Sequence, residues 1–448
     1  MQQSVSRPDS LPVPGLRSPQ TASSVDSIDE GSTPGAPFTP VAPNSLETTG
    51  LRTTEVSDIL LKFLLNRGVE TGTNLACHLG LRFGIVEARL RQLKQDRYVN
   101  YKGSVSGHDY LYELTDLGRQ SARELTERCS YFGTAPVPLE QYLTSVRAQS
   151  VTQQKPSLKA IRSAFEGLEL KDDLVSSIGQ GIHSGRGMFL YGPPGNGKTS
   201  LAERVSLSFG DSIWIPRSIS AAGEIVRLFD PNLHRPVALD DDQNVDGRWV
   251  RIERPTIMAG GELRMDDLEI QYIRGTGVGE APLQLKANGG TLLIDDFGRQ
   301  RMNIDELLNR WIVPLEQRHD FLHLESGRTI QVPFDQLIIF SSNLEPRELV
   351  DDAFLRRIPY KISVRDPNEQ EFRNLFTVVA QSMALQLEPG VVDYLVQEHY
   401  VRGQRPFRYC HSRDLCRQVE NRCSLHELPR IVTRDAIDQA VENYFAIV

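Results

Sequence analysis

The chain has 448 residues, of which 39% are hydrophobic and 24% are charged, and its formal net charge is −8. A length of this order fits about three domains, and the composition excludes collagen-like, coiled-coil and wholly disordered proteins. The acidic balance argues against a protein that coats nucleic acid along its whole surface. No apolar stretch reaches the ~20 residues of a membrane-spanning helix, and five cysteines without a CxxC pair imply no disulfide framework. We therefore expect a cytoplasmic protein without membrane insertion.

The first fifty residues form a segment of biased composition. Residues 1–50 hold 8 of the 26 prolines and 14 serines or threonines, and their apolar residues follow no helical or strand period. Such a segment buries too little apolar surface to offset the entropy cost of ordering its backbone. We therefore predict a disordered tail over residues 1–50.

Residues 51–130 predict a small domain of helices and a hairpin, from the spacing of their apolar residues and their turn signals. The expected elements are a helix from Val56 to Gly68, helices over about 73–79 and 83–95, strands at 98–102 and 110–114, and a helix over about 116–127. Three helices with a hairpin wing resemble the winged helix-turn-helix domains of many bacterial regulators.

The third of these helices carries more positive than negative charge. Its cations are Arg82, Arg89, Arg91, Lys94 and Arg97, against Glu87 and Asp96. A helix of this kind can enter a major groove and contact phosphates, so DNA is one candidate partner through residues 82–97. In the alternative interpretation, the domain docks a protein and the arginines are simply solvated. The surplus of charge leaves both interpretations open.

The remaining chain divides into three parts by its patterning. Residues 131–165 contain prolines and then helical-looking sequence, and we predict a linker there. From residue 166 to 365 apolar strands alternate with helices, the pattern of a parallel α/β sheet. Residues 366–448 show helical periodicity only, so we predict a helical domain.

A phosphate-binding motif lies at the start of the α/β part. Met188–Tyr191 is a short apolar strand, and the residues after it fit G-x-x-x-x-G-K-[ST] with a helix following. The backbone N–H groups of such a loop and the helix N-terminus bind phosphate. Lys198 is expected to reach the β- and γ-phosphates, and the Thr199 hydroxyl to ligate Mg²⁺. The predicted nucleotide-binding residues are Gly192, Pro193, Pro194, Gly195, Asn196, Gly197, Lys198, Thr199 and Ser200.

A second strand supplies carboxylates for the same site. Residues 291–294 run straight into Asp295 and Asp296. We assign Asp295 to the Mg²⁺ shell as the Walker B carboxylate, and Asp296 to polarising the attacking water. Most relatives of this kind carry glutamate at the second place. Because aspartate is one methylene shorter, we expect slow hydrolysis.

With these motifs in order, residues 157–448 resemble the AAA+ ATPases. The resemblance implies an αβα P-loop sandwich with a helical lid, ATP and Mg²⁺ as cofactors, and ATP hydrolysis coupled to conformational change. It also implies site residues: Asn343, after a third strand, as sensor 1; Arg356 and Arg357 as arginine fingers; and Arg413, opening a lid helix, as sensor 2. In this interpretation the nucleotide domain spans 166–365 and the lid 366–448.

The long passage between the two motifs narrows the resemblance. Lys198 and Asp295 are 97 residues apart, more than a plain strand–helix–strand–helix–strand passage requires. The additional residues lie at about 230–286, with β-type stretches at 235–239 and 249–254. The amino-acid sequence of residues 281–295 and 307–316 is similar to the corresponding sequence in MoxR-like ATPases and enhancer-binding activators. In those relatives an insertion at this point projects toward the substrate.

The resemblance implies an oligomeric ATPase, hexameric by analogy, that acts as a chaperone-like remodeller or activator of a protein client. Two alternatives remain open from the sequence. One is a transcription regulator that binds DNA through the winged helix and assembles under ATP control. The other is a nucleotide-gated scaffold with little hydrolysis, which Asp296 suggests.

Overall fold

The computed structural model describes residues 38–168, 170–238, 244–350 and 352–446. Most of the predicted disordered tail, residues 1–37, lies outside this range. For residues 38–50 the prediction is wrong. The ring of Phe38 packs on Trp249, with 5.8 Å between centroids, and helix α1 (Leu46–Thr49) is closed by a capping box at Ser45. These residues are ordered by partners some 200 positions away, which local composition does not reveal.

The next region contains helices and a small antiparallel sheet. Its elements are α2 (Thr53–Arg67), β1 (Val69–Thr71), α3 (Gly72–Leu79), α4 (Phe83–Gln95), β2 (Val99–Val105), β3 (Asp109–Leu114) and α5 (Asp116–Arg128). The strand order is β1-β3-β2, and Val56, Leu60, Val86 and Leu90 are fully buried between the helices. The element positions match the expected ones to within a few residues, while the winged helix-turn-helix assignment stays a prediction.

The middle of the chain holds most of the strands. They are β4 (Val137–Pro138), β5 (Met188–Tyr191), β6 (Ser212–Pro216), β7 (Ser218–Ala221), β8 (Glu224–Arg227), β9 (Trp249–Glu253), β10 (Thr256–Ala259), β11 (Gln271–Tyr272), β12 (Val278–Glu280), β13 (Thr291–Ile294), β14 (His319–His323), β15 (Thr329–Pro333), β16 (Leu337–Ser342) and β17 (Tyr360–Ser363). The helices are α6 (Leu139–Ala148), α7 (Leu158–Ala164), α8 (Asp172–Ser184), α9 (Lys198–Val205), α10 (Leu283–Lys286), α11 (Ile304–Gln317), α12 (Pro346–Leu349) and α13 (Asp352–Leu355).

A five-stranded parallel sheet forms the centre, in the order β10-β13-β16-β5-β17. Its strands are rich in apolar residues, as expected for a sheet covered on both faces. Successive residues of β5 belong to two separate hydrophobic cores. Phe189 lies in the core that contains Trp311 of α11, whereas Leu190 lies in the core that contains Ile178 of α8 and Leu201 of α9. The fold is therefore mixed α/β with helices on both faces of a parallel sheet.

The predicted linker, residues 131–165, is a packed part of the molecule, and that prediction is wrong. Strand β4 pairs in parallel with β7. Tyr142 on α6 is 1% exposed, and its hydroxyl accepts a hydrogen bond from Asn288 Nδ2 at 2.9 Å. The sequence of this segment, with its prolines, is typical of a linker. In the structure it is held in place by contacts with residues far along the chain.

The predicted insertion over 230–286 is also placed differently. Strand β10 lies inside that range, yet it is an edge strand of the central sheet, paired with β13. The extra chain therefore forms two parts, on either side of β10. β6 pairs with β9, and a second sheet has the order β11-β12-β8-β7-β4. Of the expected β-type stretch 235–239, the described residues show one isolated bridge, from Pro236 to Ile252; Leu239 lies outside the described residues.

The C-terminal region packs around a core of its own. It contains α14 (Glu369–Ser382), β18 (Gln386–Leu387), α15 (Val391–Tyr394) running into a π-helical stretch (Leu395–Val401), α16 (Tyr409–Leu425), β19 (Ile431–Val432) and α17 (Arg434–Phe445). We expected only helices in this region. That expectation is wrong, because β18 and β19 form a parallel pair of strands. Helix α16 begins at Tyr409, so Arg413 lies in its second turn instead of opening it. Across the described ranges, no helix is long and apolar enough to span a membrane.

Candidate functional site

The phosphate-loop motif forms the turn between β5 and α9. Gly192, Gly195 and Gly197 all have positive φ, at 139°, 82° and 78°. A side chain at Gly192 is also excluded by space, because a Cβ there would lie 2.4 Å from the carbonyl oxygen of Val364. The loop therefore needs glycine for its backbone conformation, a requirement that adds to the expected need for open N–H groups.

Lys198 extends from the first turn of α9 back over this loop. Its Nζ donates to the carbonyl oxygens of Gly192 and Pro193, at 2.8 and 3.0 Å, and to Asn343 Oδ1 at 2.7 Å. The residue is 6% exposed. Burial lowers the pKa of the Lys198 ammonium, while the carboxylates of Asp295 and Asp296 oppose that shift. A nearly buried cation thus lies at the mouth of the loop.

The two predicted magnesium ligands are in contact. The Thr199 hydroxyl donates to Asp295 Oδ2 at 2.8 Å, which brings the start of α9 to the end of β13. Hydroxyl and carboxylate oxygens are the hard ligands that Mg²⁺ takes when substrate phosphates and waters complete its octahedron. The donor set therefore fits Mg²⁺ at this point. Nowhere in the described ranges, this point included, is a group of three or more His, Cys, Asp or Glu side chains placed to hold a metal.

Asn343 connects the lysine with the second carboxylate. While its Oδ1 accepts from Lys198, its Nδ2 donates to Asp296 Oδ1 at 3.2 Å. Asp296 itself has a φ of +47°, an uncommon conformation that aspartate tolerates better than most residues. The predicted sensor residue Asn343 therefore lies between Lys198 and Asp296, two other predicted site residues.

The C-terminal region contacts the loop through residues that the sequence did not single out. Asn196 Nδ2 donates to Asp366 Oδ1 at 2.6 Å, and Arg408 forms an ion pair with the same carboxylate. The backbone N–H of Cys410 donates to the carbonyl oxygen of Gly195 at 2.9 Å. These pairs join positions more than 150 residues apart, except for Arg408 and Asp366, which are 42 apart. No local pattern marks Asp366, Arg408 or Cys410 as neighbours of this loop.

A cavity of about 950 Å³ lies between the α/β part and the C-terminal helices. Its polar lining includes the residues from Pro194 to Ser200, Asp295, Asp296, Asn343 and the exposed Arg413, together with Lys171, Asp173, Ser177, Lys361 and Arg365. Its apolar lining includes Leu168, Leu170, Leu174, Ile362, Leu375 and Val379. The cavity suits a ligand with an anionic part and an apolar part.

The two predicted arginine fingers lie outside the lining described for this cavity. Arg356 is exposed and lines a second cavity of about 650 Å³, together with Arg347 and Lys361. Arg357 is held within its own chain, because its Nε lies 2.7 Å from Glu316 Oε1 on α11. The two neighbouring arginines are therefore in different environments.

The cations of residues 82–97 largely contact their own chain. Arg82 donates to Asn44 and Asn244, Arg89 to Ser57, and Lys94 lies 3.8 Å from the ring centroid of Tyr101. The turn before α4 is close to the insertion, since a Cβ on Gly80 would lie 2.6 Å from the carbonyl carbon of Gly247. The backbone at Gly80 therefore packs directly against Gly247, while Arg82 itself is exposed.

Comparisons with known proteins match parts of the chain. Residues 368–443 match a family model described as a domain of unknown function, DUF8689. A spastin homolog of Caenorhabditis elegans is 24% identical over 237 residues, covering 52% of this chain and 36% of that protein. An AAA ATPase forming ring-shaped complexes, from Corynebacterium glutamicum, is 25% identical over 237 residues, covering 50% and 36%. The chain thus spans about a third of the length of these curated relatives, and they support its resemblance to AAA+ ATPases.

Solved structures with some likeness include two bacterial proteins. NtrX from Brucella abortus, in complex with ATP, is 12% identical with a TM-score of 0.39, covering 72% of this chain and 62% of that chain. A mutant of RuvB from Thermotoga maritima is 12% identical with a TM-score of 0.37, covering 61% and 69%.

Proposed function

We propose that this chain is an AAA+ ATPase that binds ATP with Mg²⁺ and hydrolyses it to drive a conformational change. The observation that carries the proposal is the amide of Asn343, which contacts both Lys198 and Asp296. Beside it, Thr199 is hydrogen-bonded to Asp295. The residues proposed for phosphate binding, metal binding and proton transfer thus line the same cavity.

Each group has a distinct role in this proposal. Lys198 binds the β- and γ-phosphates, and the N–H groups of residues 192–200 surround them. Thr199 and Asp295 would hold Mg²⁺, which would neutralise charge that develops on the phosphates. Asp296 accepts a proton from the attacking water, and Asn343 orients that water. Arg413, which lines the same cavity, contacts the nucleotide from the lid.

Assembly into a ring is part of the proposal. The Corynebacterium glutamicum relative is described as forming ring-shaped complexes, and we propose the same for this chain, as a hexamer. Arg356 and Arg357 would then act on the nucleotide of a neighbouring subunit. The exposure of Arg356 beside a second cavity supports it as the stronger candidate.

The proposed output is remodelling or activation of a protein client. Contacts of Arg82, the residue before α4, with Asn44 and Asn244 of its own chain favour a protein-docking role for the N-terminal domain over DNA reading. The nucleotide-gated scaffold remains the second candidate for two reasons. Asp296 stands where the AAA+ resemblance implies glutamate, and its backbone φ is positive, outside the helical and strand regions.

The test compares ATP binding and phosphate release in the full chain and in Lys198→Ala. Removing the nearly buried cation is expected to abolish ATP binding, whereas Lys159→Ala, at an exposed position of α7, should change nothing. Unchanged nucleotide affinity in Lys198→Ala would contradict the site. ATP binding by the full chain without phosphate release would instead support the scaffold.

A further inference from the structure

The turn that carries the two carboxylates is under backbone strain. The chain leaves β13 at Ile294 and forms a turn over residues 295–298, with φ of +47° at Asp296 and +103° at Gly298. Glycine adopts such a conformation freely, but for a residue with a side chain it costs roughly 1–2 kcal/mol. Strain of this kind persists only where surrounding contacts hold it.

One side chain supplies several of these contacts. Gln300 Nε2 donates to the carbonyl oxygens of Asp295 and Asp296, at 3.2 and 3.3 Å. Its Oε1 accepts from the backbone N–H of Gly298 at 2.8 Å. A single amide thus satisfies three backbone groups of the turn, and two of them belong to the carboxylate residues.

The opposite side of the turn is fixed to the neighbouring strand β16. The backbone N–H of Phe297 donates to the carbonyl oxygen of Ser341 at 2.7 Å, and the Ser342 hydroxyl donates to the carbonyl oxygen of Phe297 at 2.8 Å. With Phe297 anchored in this way, the conformation at Asp296 depends on what holds its own carbonyl. The N–H of Arg299, at 3.0 Å, and the amide of Gln300 do so.

We infer that Gln300 is a positioning residue that sets the direction of the Asp296 carboxylate toward Asn343 and the proposed nucleotide. The inference rests on the proposed function and deepens it. Aspartate has a single methylene, so its carboxylate follows the backbone more closely than a glutamate would. A displacement of about 1 Å in a reacting group can cost on the order of 10²-fold in rate, and the amide of Gln300 prevents such a displacement.

Two substitutions separate positioning from simple support. Gln300→Met keeps the length of the side chain and removes all three hydrogen bonds. Gln300→Glu keeps an acceptor for Gly298 but turns a carboxylate toward two carbonyl oxygens.

The experiment measures kcat, the Kd for ATP and thermal unfolding in the full chain and both variants. The expected result in both variants is a fall in kcat of about tenfold or more, with a Kd for ATP within about twofold of that of the unsubstituted chain. Gln271→Ala is the matched control, because its Nε2 also donates to a backbone carbonyl, that of Asp266 at 3.1 Å, but on strand β11.

An unchanged kcat in Gln300→Met, or losses of kcat and ATP affinity that follow a loss of thermal stability, would overturn the inference while leaving the ATPase proposal intact. A full chain that binds ATP but releases no phosphate would overturn the ATPase proposal and the inference together. The activity of the unsubstituted chain therefore separates the two failures.

Discussion

Asn343 shows how much of the proposed site depends on one side chain. Its amide offers one acceptor and one donor, and each has a charged partner: Lys198 at 2.7 Å and Asp296 at 3.2 Å. Because the ammonium can only donate and the carboxylate can only accept, the amide has a single favourable orientation. The positions of both charged groups are therefore coupled through this residue.

The backbone at Asp296 gives a physical reason for aspartate at this position. Asparagine and aspartate tolerate positive φ better than glutamate does. We therefore expect Asp296→Asn to keep the fold and ATP affinity while hydrolysis falls by about 10²-fold or more, because the proton acceptor is lost. Phosphate release and ATP binding measured on the same preparation check this.

Asp296→Glu is the companion variant. Side-chain reach alone would favour it, but the left-handed backbone makes it strained, so turnover is expected to fall. Turnover at or above that of the unsubstituted chain would show that reach outweighs backbone strain.

At the scale of elements, two hairpins outside the central sheet are joined by one carboxylate. Glu224 lies at the start of β8 and accepts from the N–H groups of Glu325 and Ser326, at 3.0 and 3.1 Å, in the turn between β14 and β15. It also accepts from the Tyr272 hydroxyl at 2.7 Å. The two hairpins therefore behave as one unit while Glu224 is ionised.

This contact predicts a pH dependence. Burial alone would raise the pKa of Glu224, but the hydrogen bonds from Ser326, Tyr272 and Glu325 outweigh it and lower the pKa below its ordinary 4.5. A lowered carboxylate pKa means that the stabilisation is present above pH 4.5 and is lost as the pH falls through the folded-state value. Hydrogen exchange at Glu325 and Ser326, corrected for intrinsic rates, should show protection that disappears over this range.

Glu224→Ala should remove the same protection at neutral pH. Glu253→Ala, at an exposed ion pair with Arg235, serves as the control and should leave it intact. Protection at Ser326 that persists in Glu224→Ala would mean that backbone pairing of β14 with β15 holds the turn by itself.

At the scale of the whole molecule, one buried ion pair connects distant stretches of chain. Arg248 is 1% exposed and Asp246 is 2% exposed, and Arg248 Nη2 lies 2.7 Å from Asp246 Oδ2. Arg248 also donates to the carbonyl oxygens of Thr49 and Pro136, at 3.0 and 3.4 Å. The segment before α2, the approach to β4 and the insertion meet at this guanidinium.

Arg248→Ala is therefore expected to destabilise the protein by about 3–5 kcal/mol, because it leaves the Asp246 carboxylate buried without its cation. Thermal or denaturant unfolding measures the loss. Arg235→Ala breaks an exposed pair, in which Arg235 is 86% exposed, and should cost less than about 1 kcal/mol. A loss for Arg248→Ala as small as that of the control would show that the three stretches are held together without it.

The assembly proposal predicts different results for the two neighbouring arginines. Arg356→Ala should leave ATP binding and thermal stability intact and reduce hydrolysis by about 10³-fold, if it acts on a neighbour's γ-phosphate. Arg357→Ala additionally removes the ion pair with Glu316. Its thermal stability should therefore fall, by at most about 1 kcal/mol.

Mixing Arg356→Ala with Lys198→Ala subunits should restore part of the activity, because each supplies what the other lacks. Co-assembly is verified by size-exclusion chromatography. A co-assembled mixture that stays inactive would refute action between subunits.

The sequence by itself determined the features that lie in contiguous residues. The glycine-rich loop, its lysine and threonine, and the carboxylate pair after an apolar strand each follow from a few neighbouring positions whose backbone requirements are local. The alternation of strands and helices likewise predicted an α/β fold, because apolar periodicity reflects burial. The positions of α2 to α5 were predictable for the same reason.

Only the tertiary structure decided which distant residues meet. Asn343 and Lys198 are 145 positions apart, and Asn196 and Asp366 are 170 apart. The strand β10 was assigned to an insertion, and residues 38–50 and 131–165 to a tail and a linker, because their partners lie far along the chain. Hydrogen bonds and strand pairs between remote segments form only once packing has brought the segments together, and a single sequence carries no periodicity for that.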